Sequence, residues 1–409
     1  YNKSMQVDAK KVFPKNVEVL TVHALAYQEL TKIKPLGKIS PLTLSEVVGI
    51  TGITKNDANY TLTELPEYCN SDNLHPEGKY KAHVNNLIDK MENGNRSFTF
   101  DYLLKKLQIS LFKKIILINY DCIFLDEAQD SNQVTISIFK LINAQKKVVV
   151  GDKNQQIYSF RGSANAFKSL KGKKLNLTES FRLPKEIAKC ASTLLHNMKL
   201  ETYQIKSQIN GCDFDFTFND PKMSVGHIFR GNKLLIQTML EMIEEGTKFV
   251  TIRNPDEIFR LLVDIGYFYQ KIFIKISSQN SYLKQFESLD ALILFAERTN
   301  NHQLKSNLEI FQQKFYCDLD WILRIKKIAN TNFNESTRDK RHFLTTAHSS
   351  KGLEFDCTII YDDFIPFPKI INLLGFDNYK KFKQQFKTID SKFIDEINLF
   401  YVAITRCKL

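Results

Sequence analysis

Short apolar runs that end in polar or acidic residues predict the strands of this chain. Residues 120–125 (YDCIFL) end at Asp126, and residues 147–150 (KVVV) end at Gly151. Between them, apolar positions repeat at helical spacing from Val134 to Ile142. A strand, a helix and a second strand in this order predict a unit of parallel sheet.

The second half of the chain repeats this pattern. Residues 248–252, 342–346 and 357–361 are short apolar runs typical of strands, helical stretches lie between them, and a further helix is predicted at 393–404. Another strand is predicted at Leu175–Leu177. The predicted fold class is α/β, with two parallel-sheet domains that each carry an inserted, mainly helical segment.

Domain boundaries follow from changes in composition. Residues 17–30 change from a strand pattern to a helix pattern, and mixed polar sequence with four prolines then predicts a helical insertion at about 31–112. We place the first domain at 1–190 and the second at 191–409, with a reduced insertion at about 265–340. Trp321 is expected to pack in a small core within that second insertion.

Composition narrows the class of protein. No apolar run approaches the roughly 20 residues that cross a bilayer, and the N-terminus has no secretion-signal pattern, so a membrane or secreted protein is not expected. The seven cysteines are scattered singly, without the spacing of zinc ligands. The net charge of +12 favours a polyanionic partner, although genome composition explains a lysine-rich chain equally well.

The candidate chemistry begins directly after the 120–125 run, with Asp126 and Glu127. Acidic residues at the carboxyl end of a parallel strand lie at the rim where α/β folds bind ligands. One such acid can hold Mg²⁺ through its water shell, and the next can polarise an attacking water. The alternative for an isolated Asp-Glu pair is a solvated acidic turn.

A second polar segment, GDKNQQIYSFRGS at 151–163, follows the 147–150 run. Gln155 could bond a γ-phosphate, Tyr158 and Phe160 could stack on bases, and Arg161 could contact a phosphate. A glycine-bounded turn with buried aromatic side chains is the alternative.

Five segments carry a family resemblance. In chain order, DEAQD, GDKNQQIYSFRG, ESFR, TTAHSSKGLEFD and FYVAITR resemble motifs II to VI of the UvrD/Rep-type superfamily 1 DNA helicases. YNKS and TVHALAY resemble the DNA-contacting motifs Ia and Ib. Within the group, the F-box DNA helicase branch is the most similar to four segments: YNKS, HALAY, KGLEFD followed by DDF, and NLFYVAITR. The resemblance spans essentially all 409 residues and implies two RecA-like domains of the P-loop NTPase type.

The resemblance implies a site for ATP and Mg²⁺. Asp126 would hold the metal, Glu127 would act as the general base and Gln155 would report the γ-phosphate. Arg182 and Arg406 would neutralise charge on the transferred phosphoryl group, with Arg406 reaching across from the second domain. Glu127 and Arg406 are therefore expected to face each other across a cleft.

Three further residues of the nucleotide site are implied in the same way. Phe181 would stack on adenine and Glu354 would face the sugar. Gly352 belongs to the same nucleotide-binding segment. Lys351 before Gly352 resembles a phosphate loop only superficially.

The resemblance also implies a path for single-stranded DNA, as well as contacts to junctions of single and double strands. Phe160 stands where relatives often have tryptophan, so a smaller stacking face is expected. His23 also fits a satisfied core histidine at a strand end. The implied DNA-contacting residues are Asn2, Lys3, His23, Tyr158, Phe160, Arg161 and His348.

One element of such motors has no match in residues 1–409. The phosphate-gripping G-x-x-x-x-G-K-[ST] pattern of Walker A is not found there, so we expect this chain alone to hydrolyse ATP poorly or not at all. The retained acid, base, sensor and arginines favour a motor whose Walker A segment lies outside the given sequence.

The function expected from this resemblance is ATP-dependent 3′-to-5′ translocation on single-stranded DNA in repair or recombination control. A monomer is favoured, with recombinase filaments as further partners and a nuclear location in a eukaryote or a cytoplasmic one otherwise. No F-box is visible in the sequence. The alternatives are a catalytically inactive, helicase-like DNA-binding or scaffold protein, and an RNA-directed motor of the same superfamily.

Overall fold

The computed structural model describes residues 3–157, 166–170, 172–211, 223–299, 301–334, 341–366 and 391–408. The chain divides into two compact units, Tyr1–Lys173 and Lys174–Leu409. Each unit has parallel strands and many helices, so the predicted mixed α/β class is confirmed. The RecA-like arrangement of two domains and the boundary near residue 190 stay predictions.

The first unit begins with six helices. Threonine side chains accept backbone N–H bonds at the start of four of them, and Thr43 and Glu46 form a reciprocal capping box. Residues 17–21 form no strand, so that prediction is wrong; Thr21 instead caps the helix that follows. The helices are α1 (Lys3–Val12), α2 (Val22–Thr31), α3 (Leu44–Thr51), α4 (Lys55–Asn70), α5 (Lys81–Glu92) and α6 (Phe100–Phe112).

A two-stranded parallel sheet follows these helices. Strand β1 (Asn119–Leu125) pairs with β2 (Asn143–Val149), and helix α7 (Gln133–Leu141) connects them as predicted. Lys147 of β2 donates to the carbonyls of Phe139 and Lys140, which caps the C-terminal end of α7 with a positive charge. The short helix α8 (Ala166–Ser169) is the last described helix of this unit.

The described residues of the second unit form two sheets. Strands β3 (Glu179–Ser180) and β4 (Lys206–Ser207) form a parallel pair, so the strand predicted at Leu175–Leu177 lies a few residues further along. The larger sheet is parallel throughout, in the order β6-β7-β5-β8. Its strands are β5 (Val225–Phe229), β6 (Phe249–Thr251), β7 (His342–Thr346) and β8 (Cys357–Ile360).

Helices of the second unit pack on this sheet and on one another. The four from Pro255 to Asn334 form a helical layer whose buried residues continue the core of the sheet. Trp321 is partly buried in that core, edge-on to Phe315 at 5.3 Å between ring centroids. The helices are α9 (Lys185–Lys199), α10 (Asn232–Glu244), α11 (Pro255–Tyr269), α12 (Leu289–Arg298), α13 (His302–Gln313), α14 (Leu319–Asn334), α15 (Ala347–Ser350) and α16 (Ser391–Ile404).

Within the described ranges, no helix combines the length and the apolar character needed to cross a bilayer.

A chain of polar side chains crosses the larger sheet. The Nε2 atom of His227 lies 2.9 Å from Nδ1 of His342, and its Nδ1 atom lies 2.9 Å from the hydroxyl of Tyr361. His227 is buried. Burial, assisted by the neighbouring His342, lowers the pKa of His227 to about 4. The imidazole is therefore neutral in the folded protein at pH 7.

This pKa predicts that the second unit loses stability in acid. The folded pKa lies below the unfolded value near 6.5, so the contribution of His227 is fully present above about 6.5 and is lost as the pH falls toward 4. The total loss is up to about 3 kcal/mol. Denaturant unfolding followed by Trp321 fluorescence should show this slope, and His227→Gln should flatten it. His196→Gln, at an exposed position on α9, should leave the slope unchanged; equal slopes for all three proteins would contradict the assignment.

Candidate functional site

The carboxyl ends of β1 and β2 bring the two predicted polar segments together. The strands pair in register up to Leu125 and Val149. The backbone ladder then continues, because Val150 N–H donates to the carbonyl of Leu125 at 2.8 Å and Ala128 N–H donates to that of Val150 at 3.1 Å. The residues that follow each strand therefore lie side by side at the rim of the sheet.

Glu127 has an unusual backbone conformation at this rim. Its φ of 50° and ψ of 40° lie in the left-handed region, which costs a residue other than glycine about 1–3 kcal/mol. The carboxylate of Asp126 accepts the Glu127 N–H at 2.9 Å, which supports this turn. Strain of this kind is concentrated at functional sites, and here it falls on the predicted general base.

The side chain of Gln129 connects the two segments. It is fully buried; its amide group donates to a carboxylate oxygen of Glu127, and its Oε1 accepts the Asp152 N–H at 3.0 Å. The sequence predictions omitted Gln129. One signal in the sequence could have indicated its role. Glutamine has both a donor and an acceptor, and a buried side chain that joins two loops needs both; Gln129 lies two positions after the predicted base.

Asp152 extends this network to Gln155. Its carboxylate accepts the backbone N–H of Asn154 at 2.8 Å and the side-chain amide of Gln155 at 3.1 Å. The structure therefore joins the predicted base and the predicted phosphate sensor through Gln129 and Asp152, all within one unit.

The rim is suited to a hydrated cation beside a phosphate. Asp126 is exposed at the strand end, whereas Glu127 is half-buried and oriented by an amide. Mg²⁺ is usually held by one or two carboxylates, with waters and substrate phosphates as its other ligands. Asp126 fits that role; in the described part of the chain, no group of three or more metal-ligating side chains was found that would hold an ion by itself.

In the second unit, Arg182 and Lys408 share one carboxylate. Arg182 Nη1 lies 3.0 Å from one oxygen of Glu354, and Lys408 Nζ lies 3.4 Å from the other. Burial raises the pKa of Glu354, but the hydrogen bonds and charges of Arg182 and Lys408 outweigh this, so the pKa lies below its usual value. Glu354 is therefore ionised at neutral pH.

Pairing between two backbone segments brings Glu354 and Lys408 together. Phe355 N–H donates to the carbonyl of Arg406, and Lys408 N–H donates to that of Phe355, each at 2.9 Å. This short parallel bridge carries Glu354 beside Lys408. Arg182 belongs to a separate segment that follows β3, where the hydroxyl of Ser180 accepts the N–H groups of Arg182 and Leu183.

Arg406 is buried, with 2% of its surface exposed. Its guanidinium donates to the carbonyls of Val402 at 3.0 Å and Leu353 at 3.3 Å, and to the hydroxyl of Thr405 at 3.1 Å. Through the bond to Leu353, the Arg406 side chain supports the segment that carries Glu354. Its predicted reach toward the first domain, and its juxtaposition with Glu127, stay predictions.

The remaining nucleotide-site residues are near the same segments. Phe181 is 85% exposed, so its ring is available for stacking. Gly352 has a φ of 81° and forms the turn before Glu354. His348 lies on α15, directly after β7, and is half-buried.

The residues predicted to contact DNA are only partly described. His23 lies in the first turn of α2 rather than at a strand end, and its ring is edge-on to Phe100 at 5.9 Å between centroids. Burial lowers the pKa of His23, although the charge of Asp101 opposes this. Lys3 begins α1, but its side chain lies outside the described part. Four predicted contacts also lie outside it: Asn2, Tyr158, Phe160 and Arg161.

The chain is similar to known DNA helicases. Residues 4–175 match the UvrD/REP helicase N-terminal domain. F-box DNA helicase 1 of Gallus gallus is 27% identical over 464 residues, an alignment that covers 100% of this chain and 43% of that protein. F-box DNA helicase protein 1 of Schizosaccharomyces pombe is 26% identical, with 100% and 51% covered. A probable DNA helicase II homolog of Mycoplasma genitalium is 23% identical, with 70% and 53% covered.

These similarities support the class of UvrD-like superfamily 1 helicases for this chain. Within that class the similarity points to the F-box DNA helicase branch, because both F-box relatives align with the whole of this chain. The predicted family resemblance is thereby confirmed. The chain spans about half the length of these relatives.

The close contact at Gly151 gives a test of the rim. A Cβ atom at this position would lie 2.2 Å from Oε1 of Gln129 and 3.0 Å from the Ala128 nitrogen. Gly151→Ala should displace Gln129 and destabilise the first unit by about 1–3 kcal/mol. Amide hydrogen exchange should show the loss around residues 126–130. Gly37→Ala, where the added atom meets nothing within 4 Å, is the matched control; equal exchange in both variants would show that the contact is unimportant.

Proposed function

We propose that this chain forms the larger part of the motor of an ATP-dependent DNA helicase that translocates on single-stranded DNA. A 3′-to-5′ direction and a role in DNA repair or recombination control are part of the proposal and rest on the family resemblance. Both F-box relatives, which align with the whole of this chain, bear the name of DNA helicases.

The observation that supports hydrolysis most directly is the network at the ends of β1 and β2. A solvated acidic turn would need neither a buried amide that orients a carboxylate nor a glutamate with a left-handed backbone conformation. Here Gln129 orients the carboxylate of Glu127, and Asp152 fixes Gln155. A base and a sensor held in one rigid network can respond together to the same ligand.

The chemistry divides among the residues of this rim. ATP would supply the phosphoryl group, and the Mg²⁺ bound with it would neutralise the charge of the phosphates. Asp126 would hold the hydrated cation, and Glu127 would orient a water and accept its proton. Gln155 would bond the terminal phosphate. In the second unit, Arg182 would supply positive charge and the exposed ring of Phe181 would stack on a base.

The DNA partner is supported by charge and by the family. The net charge of +12 favours a polyanion, and the phosphates of single-stranded DNA would release counterions on binding. His348 lies on α15 directly after β7, at the strand end where ligands of such folds bind, and His23 lies in the first turn of α2. Coupling of their contacts to nucleotide turnover would drive stepwise translocation.

Replacement of the base is the central test. In the native gene product that contains residues 1–409, Glu127→Gln should lower the rate of DNA-stimulated ATP hydrolysis by about 10²- to 10⁴-fold, because a glutamine cannot accept the proton. Binding of single-stranded DNA should persist. Glu67→Gln, at an exposed position on α4, should hydrolyse ATP normally. An unaltered rate in Glu127→Gln would show that the base is assigned wrongly.

A second test concerns the 409 residues alone. They contain no G-x-x-x-x-G-K-[ST] pattern to grip the phosphates, so they should hydrolyse ATP at a rate barely above background while binding single-stranded DNA with a steep salt dependence. Steady-state phosphate release and fluorescence anisotropy measure the two properties. Vigorous DNA-stimulated hydrolysis by these residues would contradict the expectation.

A further inference from the structure

The shared carboxylate of Glu354 is an internal anion at a site proposed for an anionic ligand. It accepts from Arg182 at 3.0 Å and lies 3.4 Å from Lys408, so two cations converge on one acid. The side chains of Arg182 and Glu354 are both 36% exposed, so the pair is open to solvent rather than sealed in the core. An anion from solution can therefore compete for the same guanidinium.

The guanidinium of Arg182 is also incompletely satisfied. Its Nε–H group is buried and has no acceptor in the described part of the chain. A buried donor without a partner is destabilising, and such a group in a native protein is explained by strain, by a catalytic role or by a bound water or ion. The single bond to Glu354 thus leaves capacity for a ligand with several oxygens, as a phosphate has.

Exchange at this site is energetically accessible. A solvent-exposed ion pair contributes little to stability, so Arg182 can leave Glu354 at low cost. The carboxylate left behind keeps a cation, because Lys408 lies beside its other oxygen. The backbone bridge between Phe355 and the segment of Arg406 and Lys408 holds Glu354 and Lys408 together during such an exchange.

We propose that Glu354 is an internal competitor that holds Arg182 in the absence of nucleotide and releases it to the phosphates of a bound nucleotide, while Lys408 neutralises the carboxylate left behind. This inference rests on the proposed function, because it takes Arg182 to be a phosphate ligand. It assigns Glu354 and Lys408 as positioning residues that set the affinity of Arg182 for polyphosphate.

A reporter beside Arg182 allows the exchange to be measured locally, apart from other cationic surfaces of the chain. Phe181→Trp combined with Trp321→Phe places the single tryptophan next to Arg182. Tripolyphosphate is the probe because it has the charge of the nucleotide but neither base nor sugar. Its binding to the full 409-residue chain is followed by fluorescence of this tryptophan.

Removal of the competitor should strengthen binding. In the reporter background, Glu354→Gln should tighten the apparent Kd for tripolyphosphate about two- to fivefold, the range expected for loss of one exposed pair. Glu257→Gln is the matched control: it breaks the exposed pair of Arg253 and Glu257, 3.1 Å apart, and should leave the Kd unchanged. Unchanged or weaker binding by Glu354→Gln would overturn the proposal.

Lys408 supplies the second arm of the test. Lys408→Met should weaken binding, because the released carboxylate then has no cation and holds Arg182 more firmly. This effect should vanish in the double variant with Glu354→Gln, which separates action through Glu354 from direct contact with phosphate. An equal loss in both backgrounds would show that Lys408 binds phosphate directly and would overturn its assigned role.

Failure of the proposed function has a different signature. If Arg182→Gln leaves the fluorescence titration unchanged, Arg182 is not a phosphate ligand, and its part in the proposed hydrolysis fails with the inference. If Arg182→Gln abolishes the response while Glu354→Gln has no effect, only the competition is wrong.

Discussion

The first unit depends on one buried amide. Gln129 joins the loop after β1 to the loop after β2, because its two functional ends bond Glu127 and Asp152. The two loops constrain each other: Glu127 is in a left-handed conformation, and Gly151 passes so close to Gln129 that a Cβ atom there would displace the amide. A buried amide with an unmet donor or acceptor would cost about 1–3 kcal/mol, so the network favours a single arrangement.

Several elements could be predicted because their signals are local. β1 and β7 are apolar runs of strand length, and the acidic residues after β1 follow from the rule that parallel strands present ligands at their carboxyl ends. Strand β5 was missed, although every residue in it is buried. Gly226 and His227 interrupt its apolar pattern. Glycine is needed there because the ring of Phe355 lies against it, and the histidine is satisfied by His342 and Tyr361.

The sequence indicated which residue types belong to the candidate site, but not which side chains they contact. Asp126, Glu127 and Gln155 could be singled out from their positions after strands, whereas Gln129 and Lys408 could not, because their roles depend on distant residues. Lys408 reaches Glu354 only because the segments near 355 and 407 form a parallel bridge. The strand expected at 17–21 failed for the opposite reason: Thr21 offers a local cap to α2, and a cap competes with extended pairing.

The two arginines of the second unit are held in different ways, and this difference affects how each could act. Arg406 is buried, and within the described part of the chain it donates to Val402, Leu353 and Thr405 of its own unit, bonds that must be exchanged before its guanidinium could reach any ligand. The guanidinium of Arg182, among the described residues, must release one exposed carboxylate, that of Glu354. Because a buried hydrogen bond that is broken without replacement costs more than an exposed ion pair, Arg182 should respond to an anion first. Arg406, as it lies in this structure, supports the segment that presents Glu354, so movement of that segment and movement of Arg406 are coupled.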